Sequence, residues 1–460
     1  MKLFNTHDCH PALDAGSRKN WEELDSRVKH GNDKRRARCY SMMCFICVLL
    51  MASVFFTASD VFAGGPFVVD TVNETGTAQR WQDDTLMWYS DAGDLATGVS
   101  NATAVRWVTD AIDKWLQASI QTENRTTYVD ATNVKAAYQG SIGFDIDETN
   151  YTTFLSQEPG PTVIIFDKGG EILKKEFPES YHFIPGITQL ILSSPNGKKI
   201  LKGVIVLNGL VLDENTLTPE QFQAPVLHEL GHLFNLDHSQ VNLDIADLCT
   251  LAGDCTGSQY IPTMFPELKT YMQRTLTTDD KITISWLYPS EDLNGKFCKI
   301  AGKIQDANGN PLQGVNVVAR RVNDGLTVTR DDSRSMVSGV LYPACSVNND
   351  GGYYLYGIIP GKTYEVIYEP LTDKYTLDAS GFEPLDDPPS GFESGNIVDT
   401  HESTTISCAT AGETIQMQTI KIDTNNPCVV VGDDDDNDND NNESVDNTAT
   451  KSSGCSLIVR

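Results

Sequence analysis

Three histidines and a glutamate stand close together near the middle of the chain, at a spacing that suits a metal ion. His228 and His232 are four residues apart, so on a helix their side chains project from the same face. His238 follows six residues later, beyond the point where the helix must turn. Three imidazoles fill three corners of a tetrahedral zinc site and leave the fourth for water, as catalytic zinc requires. Glu229, next to the first histidine, is therefore the candidate general base for that water.

The turn between the second and third histidines has a suitable residue. A helix that stops there needs a left-handed residue, usually glycine. Asn235 takes that place, and asparagine is the next most tolerant type at positive φ. Leu227, Leu230 and Phe234 recur at helical spacing on a different face and are predicted to be core. The alternative interpretation is a helix with a polar face of hydrogen-bonded histidines and no metal.

The segment HELGHLFNLDHS resembles the zinc-binding signature of the metzincin metallopeptidases and is most similar to their matrixin branch. The family pattern is H-E-x-x-H-x-x-G-x-x-H, followed downstream by a turn that contains methionine. Residues 262–266 are the candidate for that turn, with Met264 at its centre. Residues 276–288 resemble the closing helix of matrixins, with its paired aspartates and terminal Leu-Tyr.

This resemblance implies a role for each residue of the motif. His228, His232 and His238 would be zinc ligands. Glu229 would be the general base, and Met264 would lie beneath the metal. The chemistry implied is hydrolysis of a peptide bond by zinc-activated water.

Length and local composition divide the chain into four parts. At 460 residues it is too long for one ordinary core. Residues 64–292 are predicted to form an α+β metzincin catalytic domain, in which a twisted mixed sheet carries backing and active-site helices. Residues 296–425 are predicted to be an all-β sandwich, and residues 429–460 an acidic disordered tail. Residues 1–63 are predicted to be a leader, with an apolar signal-peptide core at about 42–57.

Hydrophobic patterns place the supporting elements of the predicted catalytic domain. Residues 86–89 and 161–167 are predicted strands, and residues 101–118 are predicted to form a backing helix with a 3.6-residue period. Residues 203–208 form another apolar strand just before the active-site helix. They are the candidate for the edge strand at which an extended peptide would bind.

The start of the active-site helix has a recognisable cap. Thr218 begins a capping-box sequence, with Pro219 at the first helical position. Pro225 lies seven residues after the cap, so the helix either kinks there or restarts there. Residues 290–295 are predicted to be a polar linker, so that a chain ending near residue 293 would still fold and bind zinc.

The predicted sandwich resembles the carboxypeptidase regulatory-like, transthyretin-like modules. Residues 299–304 and 314–319 alternate as strands on either side of a turn at 306–312. Residues 323–349 are predicted to be a loop insertion. The resemblance implies a module that stabilises or binds and has no chemistry of its own.

Cysteine usage fits an exported chain, in which disulfides can form. Four of the eleven cysteines lie in the predicted leader, and seven remain. Of these seven, Cys249 and Cys255 are predicted to pair within the loop between the third histidine and the methionine turn. Four others would form two further bridges whose pairing the sequence leaves open, namely Cys298, Cys345, Cys408 and Cys428. Cys455 is left over. No cysteine lies between Ala63 and Cys249, so a matrixin-style inhibitory cysteine is not expected there.

The charge and the two ends of the chain bear on its partners and location. A formal net charge of −28 disfavours nucleic acid and anionic membranes as partners. The leader predicts secretion with no stable membrane insertion after cleavage near Ala63, and an uncleaved anchor is the alternative. The acidic run at 432–442 predicts a spacer, with structural calcium binding as a second interpretation. Attachment to the surface of a bacterial cell through the tail around Cys455 is a further hypothesis.

The sequence as a whole predicts a secreted zinc-dependent endopeptidase that acts on protein or peptide substrates. The alternative is a surface adhesion protein with a vestigial zinc fold, in which the β-sandwich does the binding. The intact Glu229 favours the enzyme, because a vestigial site does not need a general base.

Overall fold

The structure is a computed structural model that describes residues 65–67, 78–122, 128–156, 160–192, 199–312, 315–323, 327–339, 351–370, 404–422 and 430–431. The predicted signal-peptide core, the acidic run at 432–442, and Cys345, Cys428 and Cys455 lie outside these residues. The described residues belong to one compact unit, Asp60–Arg460. The fold is mixed, with an α+β part followed by a two-sheet β part. No helix in the described ranges has the length and apolar character needed to cross a membrane.

The first part of this unit is built on a six-stranded sheet. The strands of this part are β1 (Arg80–Trp81), β2 (Thr85–Ser90), β3 (Ser119–Gln121), β4 (Tyr128–Asp130), β5 (Lys135–Ser141), β6 (Thr162–Asp167), β7 (Gly186–Leu192) and β8 (Lys199–Asn208). Strands β1, β8, β6, β2 and β5 follow one another through parallel pairings, and β7 pairs antiparallel with β8. Strands β3 and β4 form a separate hairpin.

Helices lie on both sides of the sheet; some come between its strands in the chain and others follow them. Those described are α1 (Asn101–Leu116), α2 (Thr152–Leu155), α3 (Glu171–Glu176), α4 (Leu210–Asp213), α5 (Pro219–Leu233), α6 (Leu243–Ala252), α7 (Thr278–Leu287) and α8 (Leu293–Lys296). Short 3-10 turns are found at Gln82–Asp84, Ser258–Tyr260 and Tyr271–Arg274. The backing helix predicted at residues 101–118 is confirmed as α1.

Strand β6 shows why the sequence of the central strands is almost entirely apolar. All of its residues are buried. Ile164 and Phe166 point into the cluster that contains α1 and α5, whereas Val163 and Ile165 point into the cluster on the opposite face. Successive side chains of a strand alternate between faces, so a strand covered on both faces has no polar side. The predicted strands at 86–89 and 161–167 are both confirmed.

Helix α5 is held against α1 and the sheet by two tryptophans. The indole Nε1 of Trp115, on α1, donates to the carbonyl oxygen of Leu227 at 2.9 Å. The indole Nε1 of Trp81, on β1, donates to the carbonyl oxygen of Leu233 at 2.7 Å. A Cβ at Gly203 of β8 would lie 2.3 Å from Cδ1 of Leu233, so the helix approaches the sheet at a position that only glycine permits.

The start of α5 follows the predicted capping box. The Thr218 hydroxyl accepts from the backbone N–H of Gln221 at 3.3 Å, and the Gln221 side-chain oxygen accepts from the backbone N–H of Thr218 at 2.8 Å. The helix continues through Pro225 to Leu233 and does not restart. Pro225 has no N–H, so the Gln221 carbonyl loses one helical hydrogen bond there without ending the helix.

The prediction that residues 203–208 form the edge strand is wrong. These residues belong to β8, which pairs with β6 on one side and β7 on the other. Among the described strands, β7 pairs only with β8, so β7 is the edge strand on the side of the sheet next to β8. The continuous apolar run of β8 is typical of an interior strand, because both of its faces are covered.

The second part of the unit consists of two β-sheets with a core between them. Its strands are β9 (Cys298–Asp306), β10 (Val315–Asn323), β11 (Thr327–Val337), β12 (Gly352–Ile358), β13 (Thr363–Pro370), β14 (Thr404–Ser407), β15 (Thr414–Gln416), β16 (Ile420–Ile422) and β17 (Val430–Val431). One sheet has the order β11-β10-β13-β14, and the other has the order β12-β9-β16-β17 with β15 also paired to β9. Their facing side chains form one hydrophobic cluster.

The prediction of a loop insertion at residues 323–349 is wrong for its first half. Thr327–Val337 is strand β11, paired antiparallel with β10. Its charged residues concealed the strand in the sequence, because they are paired rather than solvated. Arg334 is almost completely buried and forms an ion pair with Asp332. Buried charges on a strand are tolerated when partners of opposite charge accompany them.

The segment between the two parts is packed rather than free. Residues 290–295, predicted to be a polar linker, run into α8. Leu293 and Phe297 are buried in a cluster with Ile120 and Ile282 of the first part and Ile359 of the second. The linker prediction counted the polar residues of 290–295 and overlooked Leu293, which is buried within the segment, and Phe297, which is buried just after it.

Two cysteine pairs in the described residues lie at disulfide-bonding distance. Cys249 and Cys255 are paired within the loop after the third histidine, as the sequence predicts. Cys298 is paired with Cys408, so this link closes within the second part of the chain. Neither pair connects the two parts, which are held together by side-chain packing and hydrogen bonds.

Candidate metal centre

Helix α5 and the turn after it bring the three predicted histidines together. His228 and His232 lie one turn apart on the last part of α5. The helix ends at Leu233, and Asn235 has a φ of 70°, as the turn prediction required. The Asn235 side chain donates to the carbonyl oxygen of Gln79 at 2.7 Å, which ties the turn to the sheet. The chain then reverses and returns His238 toward the helix.

The Nε2 atoms of the three imidazoles face one another. The distance is 3.0 Å between His228 and His232, and 3.1 Å from each of them to His238. Ligand nitrogens around a tetrahedral zinc ion with bonds of ~2.1 Å lie ~3.4 Å apart. The triangle is therefore of the right shape and close to the right size for one small metal ion. Among the described residues, this is the one group of His, Cys, Asp and Glu side chains that could share an ion.

The outer nitrogens of two of the rings are held by backbone carbonyls. His228 Nδ1 donates to the carbonyl oxygen of Thr263 at 2.8 Å, and His232 Nδ1 donates to that of Leu236 at 2.8 Å. A proton on Nδ1 leaves the lone pair on Nε2, which is the atom that faces the centre of the triangle. His238 is different, because its buried Nδ1 has no hydrogen-bond partner within the described part of the chain.

The electrostatics of the site favour neutral imidazoles, as metal ligation requires. Burial lowers the pKa of His228 to about 4. Burial also lowers the pKa values of His232 and His238 well below the ordinary range, and the neighbouring histidines lower them further. Three neutral rings whose lone pairs converge on one point repel each other unless a cation lies between them. The donor set thus fits a metal ion.

Glu229 lies on α5 between the two helical histidines and faces strand β7. Its carboxylate oxygen Oε2 accepts a hydrogen bond from the Thr188 hydroxyl at 2.7 Å. Burial raises the pKa of Glu229 to about 7, and the hydrogen bond from Thr188 opposes that rise. A Cβ at Gly186 would lie 2.9 Å from Cγ of Glu229, so the edge strand passes directly beside this carboxylate. Thr188 could not be found from the sequence, because nothing in its own segment marks it.

The predicted methionine turn lies directly against helix α5. Met264 is buried, and a Cβ at Gly231 would lie 2.2 Å from its sulfur. The Asp280 carboxylate accepts from the backbone N–H groups of Thr263 at 2.9 Å and Met264 at 3.0 Å. Asp280 thereby fixes the carbonyl of Thr263 that holds His228. The paired aspartates of this segment were noted in the sequence, but this role of Asp280 was not predicted.

A short N-terminal segment covers the turn between the second and third histidines. The Asn235 carbonyl accepts from the N–H of Phe67, and the Gly65 carbonyl accepts from the N–H of Asp237, both at 2.9 Å. The Phe67 ring lies 5.0 Å from the His232 ring, measured between centroids. This segment helps to exclude water from the outer side of the histidine cluster.

Comparison with known proteins does not place the chain in a family. No family model matches it, and no curated protein matches it. A solved structure of the dioxygenase domain of a dioxygenase–carbohydrate-binding protein fusion from Streptomyces sp. SirexAA-E is 13% identical, with 28% of this chain and 82% of that chain covered and a TM-score of 0.15. Catechol 1,2-dioxygenase from Pseudomonas arvilla C-1 is 14% identical over 27% of this chain and 52% of that chain, with a TM-score of 0.13. (S)-Allantoin synthase is 11% identical over 47% and 71%, with a TM-score of 0.17. Similarities this low carry no argument about fold or function.

Proposed function

We propose that the chain is a secreted zinc-dependent endopeptidase of the metzincin type, most similar to matrixins. The observation that carries the proposal is the convergence of three imidazole nitrogens within 3.1 Å of one another, with a buried carboxylate in the same helix. The H-E-x-x-H motif, the turn at Asn235 and the methionine turn support it. Secretion is proposed from the leader sequence, and the substrate is a protein or peptide.

The residues of the site divide the chemical work between them. When bound to the three imidazoles, zinc supplies Lewis acidity toward a carbonyl oxygen and toward water. Glu229 accepts a proton from the attacking water and passes it to the leaving nitrogen. A carboxyl with a pKa of about 7 suits both steps, because it can take and release a proton near neutral pH. Thr188 donates to Oε2 and so fixes the orientation of the carboxylate.

Strand β7 provides the binding surface for an extended substrate. It pairs on one side with β8 and presents its other edge next to Glu229. An extended peptide can add to such an edge through main-chain hydrogen bonds. We expect these bonds to engage the substrate main chain on both sides of the bond that is cleaved, which suits cleavage within a chain.

A comparison of two glutamates on the same helix tests the proposal. Glu229→Gln keeps the shape of the side chain and removes its basicity, so we expect kcat on casein to fall by at least ~10²-fold with zinc still bound. Glu220→Gln is the matched control, since Glu220 is exposed and pairs with Arg274 at the other end of α5. The kcat of Glu220→Gln on casein should remain within about twofold of the wild-type value, because this substitution alters only an exposed ion pair.

A chelator completes this experiment. Wild-type activity should disappear with chelator and return with added zinc. A wild-type protein that binds one zinc ion per chain and cleaves neither casein nor a peptide library would overturn the peptidase proposal. That result would favour the adhesion protein with a vestigial site.

A further inference from the structure

The loop that carries the third histidine is tied to the second part of the chain. Ser239 follows His238 directly, and its hydroxyl donates to Oδ2 of Asp279 at 2.6 Å. The other oxygen of Asp279 accepts from the backbone N–H of Ser335 at 2.6 Å and from the Ser335 hydroxyl at 3.1 Å. Ser335 belongs to strand β11 of the sandwich. The buried carboxylate therefore bridges the histidine loop and the neighbouring sheet, and the Ser239 and Ser335 hydroxyls also lie 3.3 Å apart.

A second connection lies a few residues further along the chain, where the loop ends and α6 begins. The guanidinium of Arg330, also on β11, forms two hydrogen bonds of 2.7 Å with the carboxylate of Asp244. Asn242 donates to the Arg330 carbonyl at 3.3 Å and accepts from its guanidinium at 3.3 Å. Two-point pairing between arginine and a carboxylate fixes orientation as well as distance. Strand β11 thus holds the loop at Ser239 and again at residues 242–244.

His238 needs this external support more than the other two ligands do. The outer nitrogens of His228 and His232 are fixed by backbone carbonyls, whereas Nδ1 of His238 has no partner in the described residues. His238 also lies beyond the end of α5, so no helix holds its backbone. Its position depends on the loop, in which the N–H of Ser239 donates to the Met264 carbonyl at 2.7 Å. The Ser239 hydroxyl also accepts from the N–H of Val241 within the loop at 3.3 Å, and its contacts outside the loop lead to Asp279 and β11.

We infer that the β-sandwich is a structural component of the metal centre, with Ser335 and Arg330 of β11 acting as positioning residues for the third metal ligand. This inference rests on the proposed zinc site and gives the second part of the chain a role in that site. It also reverses the expectation that a chain ending near residue 293 would retain zinc normally. Such a truncation removes both connections and uncovers the buried cluster around Leu293.

Zinc binding by the full chain, read without any substrate, tests the inference. Asp279→Ala removes the carboxylate that bridges Ser239 and Ser335, and Arg330→Ala removes the second connection; because both release the histidine loop, these two substitutions are called the loop variants. We expect the zinc dissociation constant of Asp279→Ala, measured by competition with a chromogenic chelator, to rise by ~10- to 100-fold, as for other residues that orient metal ligands. Arg330→Ala should change it in the same direction by less, and Arg330→Lys should recover only part of the loss.

Tyr353→Phe is the matched control. Tyr353 shares a 3.0 Å hydrogen bond with Tyr368 inside the sandwich, away from the histidine loop. Its loss should lower the Tm of the apo and zinc-bound forms equally. The two loop variants should lower the zinc-bound Tm more, because a ligand stabilises a protein according to its affinity.

The outcomes separate this inference from the proposed function. Dissociation constants within about twofold of the wild type in both loop variants would overturn the role of β11. If the Tm of the folded loop variants drops equally with and without zinc, the connections stabilise the fold in general and do not position the metal ligand. A wild type that binds no zinc would overturn the metal centre itself. A wild type that binds zinc but hydrolyses no peptide would overturn only the proposed function, because the zinc dissociation constants of the loop variants test the role of β11 without any substrate.

Discussion

Gly231 offers a direct test of how the methionine turn supports the helix that carries two of the histidines. Gly231 lies on α5 next to His232. A Cβ at this position would lie 2.2 Å from Sδ and 3.0 Å from Cε of Met264, and 2.9 Å from Cζ2 of Trp115. Gly231→Ala therefore adds one methyl group where the helix touches both side chains.

Two opposing effects decide the outcome of Gly231→Ala. Replacing glycine by alanine inside a helix stabilises it by ~1 kcal/mol through backbone entropy. Inserting a methyl group into a filled core costs ~1–3 kcal/mol, because neighbouring side chains must leave their preferred positions. Met264 is only 2% exposed, and the Trp115 ring is fixed by its hydrogen bond to Leu227, so neither can move freely. We expect a net loss of ~1–2 kcal/mol in the free energy of unfolding.

Urea denaturation of Gly231→Ala and the wild type measures this difference in the free energy of unfolding. Gly295→Ala is the control. Gly295 lies in the short helix α8, and a Cβ there would have no neighbour within 4 Å. It should be neutral or slightly stabilising. In a Met264→Ala background, Gly231→Ala should cost less than it does in the wild type, because the shorter side chain makes room for the new methyl group. If Gly231→Ala is as stable as the control, the methionine does not pack against the helix in this way.

Three further predictions concern the site and its surroundings. His238→Ala should lose zinc on dialysis because two ligands retain it poorly, whereas His182→Ala, which alters an exposed pair with Glu214, should keep it; metal analysis distinguishes them. Thr188→Val removes the hydrogen bond that lowers the pKa of Glu229, so the acidic limb of the kcat profile should move to higher pH, and an unchanged profile would contradict the contact. Burial raises the pKa of Asp279 to about 7 from 3.8, so its protonated form favours folding: this stabilisation is complete below about pH 4 and is lost as the pH rises through 7. Asp279→Asn should abolish this pH-dependent loss of stability, which amounts to at most ~4 kcal/mol in the wild type. Urea midpoints measured between pH 4 and pH 8 test this, and a variant whose midpoints change with pH in parallel with those of the wild type would refute it.

The parts of the site that could be predicted are those encoded over short distances in the chain. The helical spacing of His228 and His232 needs no tertiary information, because one turn of helix places them together. The left-handed turn at Asn235 and the cap at Thr218 are equally local, and both appear in the structure as predicted. Helix spacing, caps and turns of this kind depend on residues that are close in sequence, so they can be predicted without knowing how the rest of the chain packs.

The missed features depend on partners that are distant in sequence. Strand β7 was not predicted, and its Thr188 contacts Glu229 across 41 positions. The role of Asp280 likewise required the knowledge that α7 lies under the methionine turn. The residue types and the hydrophobic periodicity of one segment contain no information about which other segment packs against it.

Strand β11 shows this limit most clearly. The sequence TVTRDDSRSMV has the charge of a solvated loop, and its burial is possible only because Arg334 finds Asp332 and Arg330 finds Asp244. The pairs within the strand stabilise β11 itself, whereas the pair with Asp244 holds the loop after His238. A charged stretch in a module that resembles a separate domain thus becomes part of the frame of the metal site. For this chain, the predicted boundary near residue 293 separates two sequence patterns, and the contacts of Asp279 and Arg330 join those patterns into one functional unit.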